Sequence, residues 1–208
     1  MPSILIVAAE WFELEHIQPK PGWKLIKVAN GPGPRLAGEG VGRVTQPVDL
    51  VVSTGLCGAL DPILGIGDIF AASAVNGQAA ELPRSRVAYR SGPLVSMDRV
   101  VQTAEEKRRL RAETGAMAVE MEAAAVREYA GRRGVPFYCV RAVSDVADED
   151  FRVDLNAARD DSGRFSIPRV LFQVARRPLV LAPELWRLRR NAGVATRALG
   201  DFFADCDF

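Results

Sequence analysis

The stretch Phe137-Tyr-Cys-Val-Arg-Ala-Val143, followed at once by Ser144 and Asp145, carries the most information about the fold. Its apolar and β-branched residues predict a strand that is buried on both faces. Similar runs occur at Ser3–Ala8, Val48–Ser53 and Ile69–Ser73. Strands of this kind need helices packed above and below them, so the chain should form a layered α/β structure.

Four segments with helical periodicity supply those layers: Leu36–Thr45, Thr103–Glu113, Glu122–Arg133 and Pro183–Phe203, the last with Pro183 in its first turn. Strands and helices alternate along the chain, which predicts three layers with a mainly parallel or mixed central β-sheet flanked by helices. We expect residues 1–208 to form a single domain with a C-terminal helical extension from about residue 165.

The charge balance excludes some classes of partner. Lys and Arg total 27 and Asp and Glu total 26, so no strong overall field would recruit nucleic acid. The apolar start Ser3–Ala9 lacks a basic flank and soon meets acidic residues, so we expect a cytoplasmic protein without integral membrane association. The single His16 and three scattered cysteines cannot form a ligand set, so we expect neither a metal nor a dissociable cofactor.

Polar or glycine-rich segments follow the apolar runs: Glu10–Glu13, Gly55–Gly58, Glu120–Glu122 and Ser144–Asp145. Ligands of α/β sheets gather at the carboxyl ends of the strands. A carboxylate directly after an apolar strand must be solvated, paired or used in chemistry. These segments are therefore expected to converge on one site.

Four stretches carry a family resemblance when they are taken in order: Val52-Ser-Thr-Gly-Leu-Cys-Gly-Ala-Leu60, Gly67-Asp-Ile69, Ala118-Val-Glu-Met-Glu-Ala123 and Val140-Arg-Ala-Val-Ser-Asp-Val-Ala-Asp148. Over roughly residues 3–150 the chain resembles the nucleoside phosphorylase and nucleosidase superfamily, most of all the methylthioadenosine/S-adenosylhomocysteine nucleosidases. The resemblance implies a homo-oligomer that cleaves the N-glycosidic bond of an adenine-bearing, 5′-modified purine nucleoside.

The resemblance also implies roles for particular residues. Asp145 matches the general acid that protonates the departing base, which requires a desolvated carboxyl group with a raised pKa, and Ser144 would orient it. Glu122 matches the carboxylate that binds two ribose hydroxyls and favours an oxocarbenium-like transition state. Met121 would pack on the sugar, although, taken singly, Met121 is better explained as a core filler and Glu120 as a strand-end charge.

The remaining site residues follow from the same likeness. Glu13, followed by Ile17, resembles the glutamate that activates the attacking water, with Glu10 as an alternative by a small shift. The main chain of Val100 and Val101, after Ser96-Met-Asp98, would form hydrogen bonds with the purine ring. Glu120, Gly58 and Cys57 complete the set of substrate-binding candidates.

Some features depart from the nucleosidase pattern. Leu56 stands where the family's glycine turn has serine, and the loop after Ile69 is short. With Gly31-Pro-Gly-Pro-Arg35 and the Arg-rich segment from Arg176, these features resemble the hopanoid-associated phosphorylases, whose nucleoside carries a large apolar 5′ group.

Phosphate would then be a co-substrate, held by Gly33 and Arg35, although the acidic first segment would repel it. A nucleoside-binding protein without catalysis is a third reading. The arginines of the last helix indicate a solvated face rather than a membrane surface.

Overall fold

The computed structural model describes residues 1–208. The eight strands are β1 Ser3–Ala8, β2 Lys24–Ala29, β3 Leu50–Ala59, β4 Ile69–Val75, β5 Gln78–Ala79, β6 Arg90–Ser96, β7 Ala118–Glu120 and β8 Phe137–Asp145. The five α-helices are α1 Pro34–Gly42, α2 Ala104–Thr114, α3 Ala123–Arg133, α4 Ile167–Arg176 and α5 Pro178–Asp205, and a short 3₁₀ helix spans Trp11–Leu14.

The strands form one mixed sheet. β1 pairs in parallel with β2 and β3, and β3 pairs in parallel with β8. β8 then pairs antiparallel with β4, β4 pairs with β6, β6 with β7, and β7 returns to β3. Five strands therefore close on themselves, so the ends of β3, β7 and β8 lie beside one another.

Helices cover both faces of this sheet. Helices α1 and α3 pack together on one face over a core that includes Val51, Phe70 and Val143. The C-terminal half of α5 covers the other face, where Leu199 and Phe202 pack against residues of β1, β3 and β8. The predicted α/β class with a mixed sheet between helical layers is confirmed.

The structure differs from the sequence predictions at several elements. The strand predicted at Val48–Ser53 continues to Ala59, so Gly55–Gly58 lies inside β3 rather than after it. A register shift between Cys57 and Gly58 bends the strand there. Strands β2, β5 and β6 were not predicted, and the region of the helical extension expected from about residue 165 holds two helices, α4 and α5.

The start of the last helix was also predicted wrongly. Helix α5 begins at Pro178, and Pro183 lies inside it. Pro178 takes the first-turn position that proline favours, because its missing N–H has no partner there in any helix. Pro183 is tolerated because it is exposed, so the carbonyl that its ring leaves without a donor can reach water.

Candidate active site

A cavity of about 460 Å³ lies where the ends of β1, β7 and β8 meet the middle of β3. Most of the side chains that line it are apolar, and carboxylates stand out among the rest: Glu10, Glu13, Glu120, Glu122 and Asp145. Helices α4 and α5 close the outer side with Val170, Leu185, Leu188 and Ala192. This size and lining are typical of a pocket for a small organic molecule.

Asp145 is the last residue of β8 and is buried against a lysine. Lys107 of α2 is fully buried, and its Nζ lies 2.6 Å from Oδ2 of Asp145 and 2.7 Å from the carbonyl of Val146. Burial raises the pKa of Asp145, while the Lys107 ammonium opposes that rise. The carboxyl group can therefore hold a proton, and the carboxylate left after its transfer already has a cation beside it.

Ser144 and Gly58 shape the surroundings of that carboxyl group. The Ser144 hydroxyl lies 3.1 Å from Oδ1 of Asp145 and 3.2 Å from the carbonyl of Cys57. A Cβ at Gly58 would lie 2.8 Å from Oδ2 of Asp145, so only glycine leaves room for the acid. Cys57 contributes a buried thiol whose pKa is raised well above its ordinary value by burial, so it adds an uncharged surface.

Glu122 lies at the N-cap of α3 and lines the same cavity. Its Oε1 accepts a hydrogen bond of 2.8 Å from the main-chain N–H of Gly33, and its Oε2 lies 3.5 Å from Nη1 of Arg141. Burial, with the nearby charge of Glu120, raises the pKa of Glu122 to about 8. Met121 lines the same wall and is buried.

Glu13 is held rigidly by the main chain. Its Oε1 accepts from the N–H of Leu56 at 2.9 Å, and its Oε2 accepts from the N–H of Glu10 at 2.8 Å. Gly55 makes this close approach possible, because its φ is 120° and a Cβ at this position would lie 2.7 Å from Oε1 of Glu13. Burial raises the pKa of both Glu13 and the half-buried Glu10.

Arg141 is the cation that contacts these acids. It is fully buried in β8 and donates to the Thr54 carbonyl at 2.7 Å and to the Ser53 hydroxyl at 2.8 Å. It also forms an ion pair with Glu120. Oε2 of Glu120 accepts the N–H groups of Glu122 and Ala123 at 2.9 Å and so helps to cap α3, while the buried Oε1 of Glu120 has no hydrogen-bond partner within the chain.

The buried charges do not balance. Glu13, Glu120 and Glu122 supply three carboxyl groups, and Arg141 supplies the one buried guanidinium among them. Such a cluster must hold a proton or attract a cation, because buried charges need partners. Positive charge that develops on a ligand in the cavity would therefore be stabilised there.

The main chain at residues 100 and 101 differs from the prediction in one respect. The Asn156 carboxamide accepts from the N–H of Val100 and donates to its carbonyl, both at 2.9 Å. The N–H and carbonyl of Val101 make no hydrogen bond within the chain, and Val101 lines the cavity. Of the two residues predicted to hydrogen-bond the edge of a purine, only Val101 has a main-chain N–H and carbonyl without a partner in the chain.

The predicted phosphate site is not assembled as expected. Arg35 does not line the cavity, because its guanidinium pairs with Glu39 at 2.6 Å on the surface and bonds the Ser162 carbonyl. The N–H of Gly33 is taken by Glu122. Two other arginines, Arg159 and Arg164, pack against the Gly31–Gly33 turn. No group of three His, Cys, Asp or Glu side chains is arranged to hold a metal ion.

Comparisons with known proteins show what this chain is similar to. A model of the phosphorylase superfamily matches residues 71–167, which include β7, β8 and three of the carboxylates. The chain is similar to this superfamily over that range, which is less than half of its length. Its resemblance to the nucleosidase branch is confirmed by the relatives that follow.

Among the curated proteins similar to this chain is the 5′-methylthioadenosine/S-adenosylhomocysteine nucleosidase of Staphylococcus saprophyticus. It is 32% identical over 141 residues, which take in 52% of this chain and 62% of the relative. The enzyme of the same name from Staphylococcus aureus strain RF122 is 30% identical over an equal length. The match thus spans less than two thirds of the relatives' length.

Solved structures share the fold. The Helicobacter pylori nucleosidase of the same name, with butyl-thio-DADMe-Immucillin-A, superimposes with a TM-score of 0.64 at 20% identity and covers 97% of each chain. A futalosine hydrolase mutant of the same organism gives 0.60 at 22% identity, over 73% of this chain and 91% of that chain. At these identities the likeness concerns the fold alone.

Sequence reasoning missed several residues of the site. Arg141 could have been found from the sequence, because it lies within an apolar strand and a buried arginine there needs an acidic partner. Lys107 gave none, because it stands among exposed charged residues of α2. The apolar stripe of α5 gave no sign of a role in the site, yet Leu185, Leu188 and Ala192 line the cavity, while the residues from Ala195 onward pack in the core.

Proposed function

We propose that this protein cleaves the N-glycosidic bond of an adenine-bearing, 5′-modified purine nucleoside with water as the nucleophile. The observation that carries the proposal is that two buried acids, Glu122 and Asp145, line one largely apolar cavity. The names of the curated relatives support the same reaction. The protein is further proposed to act in the cytoplasm as a homo-oligomer without metal or other cofactor.

The departing base needs a proton, and Asp145 is the proposed donor. The raised pKa that burial gives this carboxyl keeps a proton available, and Lys107 at 2.6 Å stabilises the carboxylate that remains after transfer to the purine ring. The free main-chain groups of Val101 would bind the base edge in this orientation. Recognition by main chain needs no particular side chain at this position.

The ribose would lie on Glu122. Its carboxylate can accept hydrogen bonds from two neighbouring hydroxyls. As the bond to the base lengthens, the sugar gains positive charge, which the excess of buried carboxylates over Arg141 stabilises. Glu13 would take the proton of the attacking water, because its raised pKa makes it a better base than an exposed carboxylate.

The 5′ substituent would extend towards α4 and α5. Phe12, Phe165, Val170, Leu185 and Leu188 form this part of the wall. An apolar surface of this kind favours an apolar group over a charged one, because apolar contact releases water from both surfaces. We therefore expect nucleosides with longer alkyl 5′ groups to be preferred over adenosine.

The test is release of adenine from a panel of 5′-substituted adenosines. The wild-type protein should release adenine, and Asp145→Asn should bind the same nucleosides but react roughly two to four orders of magnitude more slowly. Asp148→Asn, a change at an exposed neighbouring acid, is the matched control and should keep wild-type turnover. Saturable binding without adenine release by the wild-type protein would favour the non-catalytic reading instead.

Phosphorolysis is the second candidate, and one observation favours it. The guanidinium groups of Arg159 and Arg164 lie against the Gly31–Gly33 turn, where a Cβ on either glycine would lie within 3.0 Å of an arginine nitrogen. Glycine turns with adjacent cations are typical of anion sites. The excess of buried carboxylates opposes a phosphate dianion at the sugar and is our reason to prefer water.

Product analysis with and without phosphate separates the two reactions. Hydrolysis gives a free 5′-substituted ribose at the same rate in either buffer. Phosphorolysis gives the 1-phosphate of this sugar and requires phosphate in the buffer. In that case the Arg159→Met variant should lose either the phosphate requirement or the activity.

A further inference from the structure

Helix α4 has its apolar residues on the outside. None of its residues is buried, although its sequence separates apolar from polar residues sharply along the helix. Its inward contacts come from Val170, which lines the cavity, and from Gln173, whose carboxamide bonds the N–H and the carbonyl of Asp154 at 2.9 Å each. The larger apolar side chains are therefore left in solvent, which is the reverse of an ordinary surface helix.

Helix α5, which packs against α4, also carries exposed apolar side chains. Ile167, Leu171 and Phe172 of α4 are 72%, 59% and 63% exposed, and Leu179 and Trp186 of α5 are 91% and 67% exposed. Leu179 and Trp186 are seven residues apart and so lie on one side of their helix. Five large apolar side chains exposed on two contacting helices indicate an interaction site. We call these five residues the α4–α5 apolar surface.

The charge around this surface indicates which partner fits. Residues 164–190 contain seven arginines and one acid, Glu184, while the whole chain has a net charge of only +1. Arg187 is neutralised by Glu149 and Glu184. Arg176, Arg177, Arg189 and Arg190 are exposed and form no salt bridge: the ion pairs of this region involve Arg169 and Arg187.

We propose that the α4–α5 apolar surface docks on the surface of an anionic lipid bilayer, with its apolar side chains among the acyl chains and its arginines at the headgroups. Trp, Leu and Phe beside a row of arginines are typical of helices that lie in the plane of a membrane interface. No helix has both the length and the apolar character needed to cross a bilayer, so the docking is peripheral.

A second copy of the chain fits the surface less well. A two-fold contact would place the same arginine-rich patch of both copies face to face. Like charges brought together at an interface disfavour association. An anionic lipid surface attracts each arginine instead, with about 1 kcal/mol per residue near the headgroups.

The docked orientation would also bring the cavity to the membrane. Val170 and Leu185 line the cavity, and their chain neighbours Leu171 and Trp186 belong to the docking surface. If the proposed function holds, a nucleoside with a lipid-like 5′ group could enter from the bilayer without crossing water. The docking itself stands or falls independently of that function.

Vesicle sedimentation tests the proposal. The full chain should bind vesicles of phosphatidylcholine with phosphatidylglycerol and bind vesicles of phosphatidylcholine alone at least tenfold more weakly. Leu171→Asp should reduce binding by at least about tenfold, and Arg176→Gln by about fivefold. The matched controls are Ile63→Asp and Arg108→Gln, exposed residues outside this surface, and both should bind like the wild type.

Fluorescence supplies a second readout. Emission from Trp186 should move to shorter wavelength when anionic vesicles are added, and Trp186→Phe should abolish the shift. Equal binding to both vesicle types, equal binding of Leu171→Asp and Ile63→Asp, or no binding would overturn the proposal. A concentration-dependent dimer that Leu171→Asp dissociates, without vesicle binding, would assign the surface to a second copy instead.

Discussion

Replacing Lys107 with Met tests whether the buried ammonium acts through Asp145. The two groups are 2.6 Å apart and both are buried. At an effective dielectric of about 20, their attraction is about 6 kcal/mol before the cost of desolvation. Breaking one side of a buried ion pair typically costs about 3–5 kcal/mol, and Asp145 can avoid part of that cost by taking up a proton. We expect a loss of about 3 kcal/mol at neutral pH.

The pH dependence identifies the cause. Because the pKa of Asp145 is already raised in the folded protein, its contribution to stability is present at low pH and is lost as the pH rises through the folded pKa. Without Lys107 that pKa rises further, so the loss continues to higher pH. The difference in the free energy of unfolding between Lys107→Met and wild type should therefore widen as the pH rises.

Denaturant titrations at several pH values measure this difference, with Arg108→Met as the control on the exposed side of the same helix. In activity, the alkaline limb of the kcat/KM profile should move to higher pH in Lys107→Met. A stability difference that is the same at every pH, together with an unchanged activity profile, would refute the link between Lys107 and the charge of Asp145.

The remaining predictions concern the ribose and nucleophile sides. Because the pKa of Glu122 is raised to about 8, binding of a non-cleavable nucleoside analogue should tighten as the pH rises through that value and then level off. Calorimetry should find this dependence absent in Glu122→Gln and intact in Glu128→Gln. Gly55→Ala should lower the unfolding free energy by about 1–3 kcal/mol, because its φ is 120° and its Cβ would lie 2.7 Å from the Glu13 carboxylate. Gly131→Ala is the control, because a Cβ at Gly131 of α3 would meet no atom within 4 Å, and it should leave stability unchanged or raise it. Thermal melts of both variants measure the effect.

The parts of the fold that could be predicted were those set by local pattern. β1 was predicted with its observed bounds, and β8 was found within two residues, because both are continuous apolar runs. β2 has lysines at Lys24 and Lys27, and β6 contains Gly92 and Pro93, so neither resembles a buried strand. Their place in the sheet depends on long-range pairing, which no short window of sequence contains.

The site was predictable only where motifs carried it. Glu13, Glu122 and Asp145 were named from short motifs, and the structure brings all three to the cavity, while their catalytic roles stay predictions. Lys107 and Asn156 act through contacts with residues far away in the chain, so local sequence gives no reason to single them out. Arg35 follows a glycine turn that resembles an anion site and pairs with Glu39 one helical turn away, but its hydrogen bond to the Ser162 carbonyl could be known only from the fold.

The most direct measurement of the central claim is a crystal structure of Asp145→Asn soaked with an intact 5′-substituted adenosine. The account predicts the base against residue 145 and Val101, the ribose hydroxyls on Glu122, and the 5′ group among Val170, Leu185 and Leu188. A nucleoside bound elsewhere, or one in this cavity with its glycosidic bond away from residues 122 and 145, would contradict it.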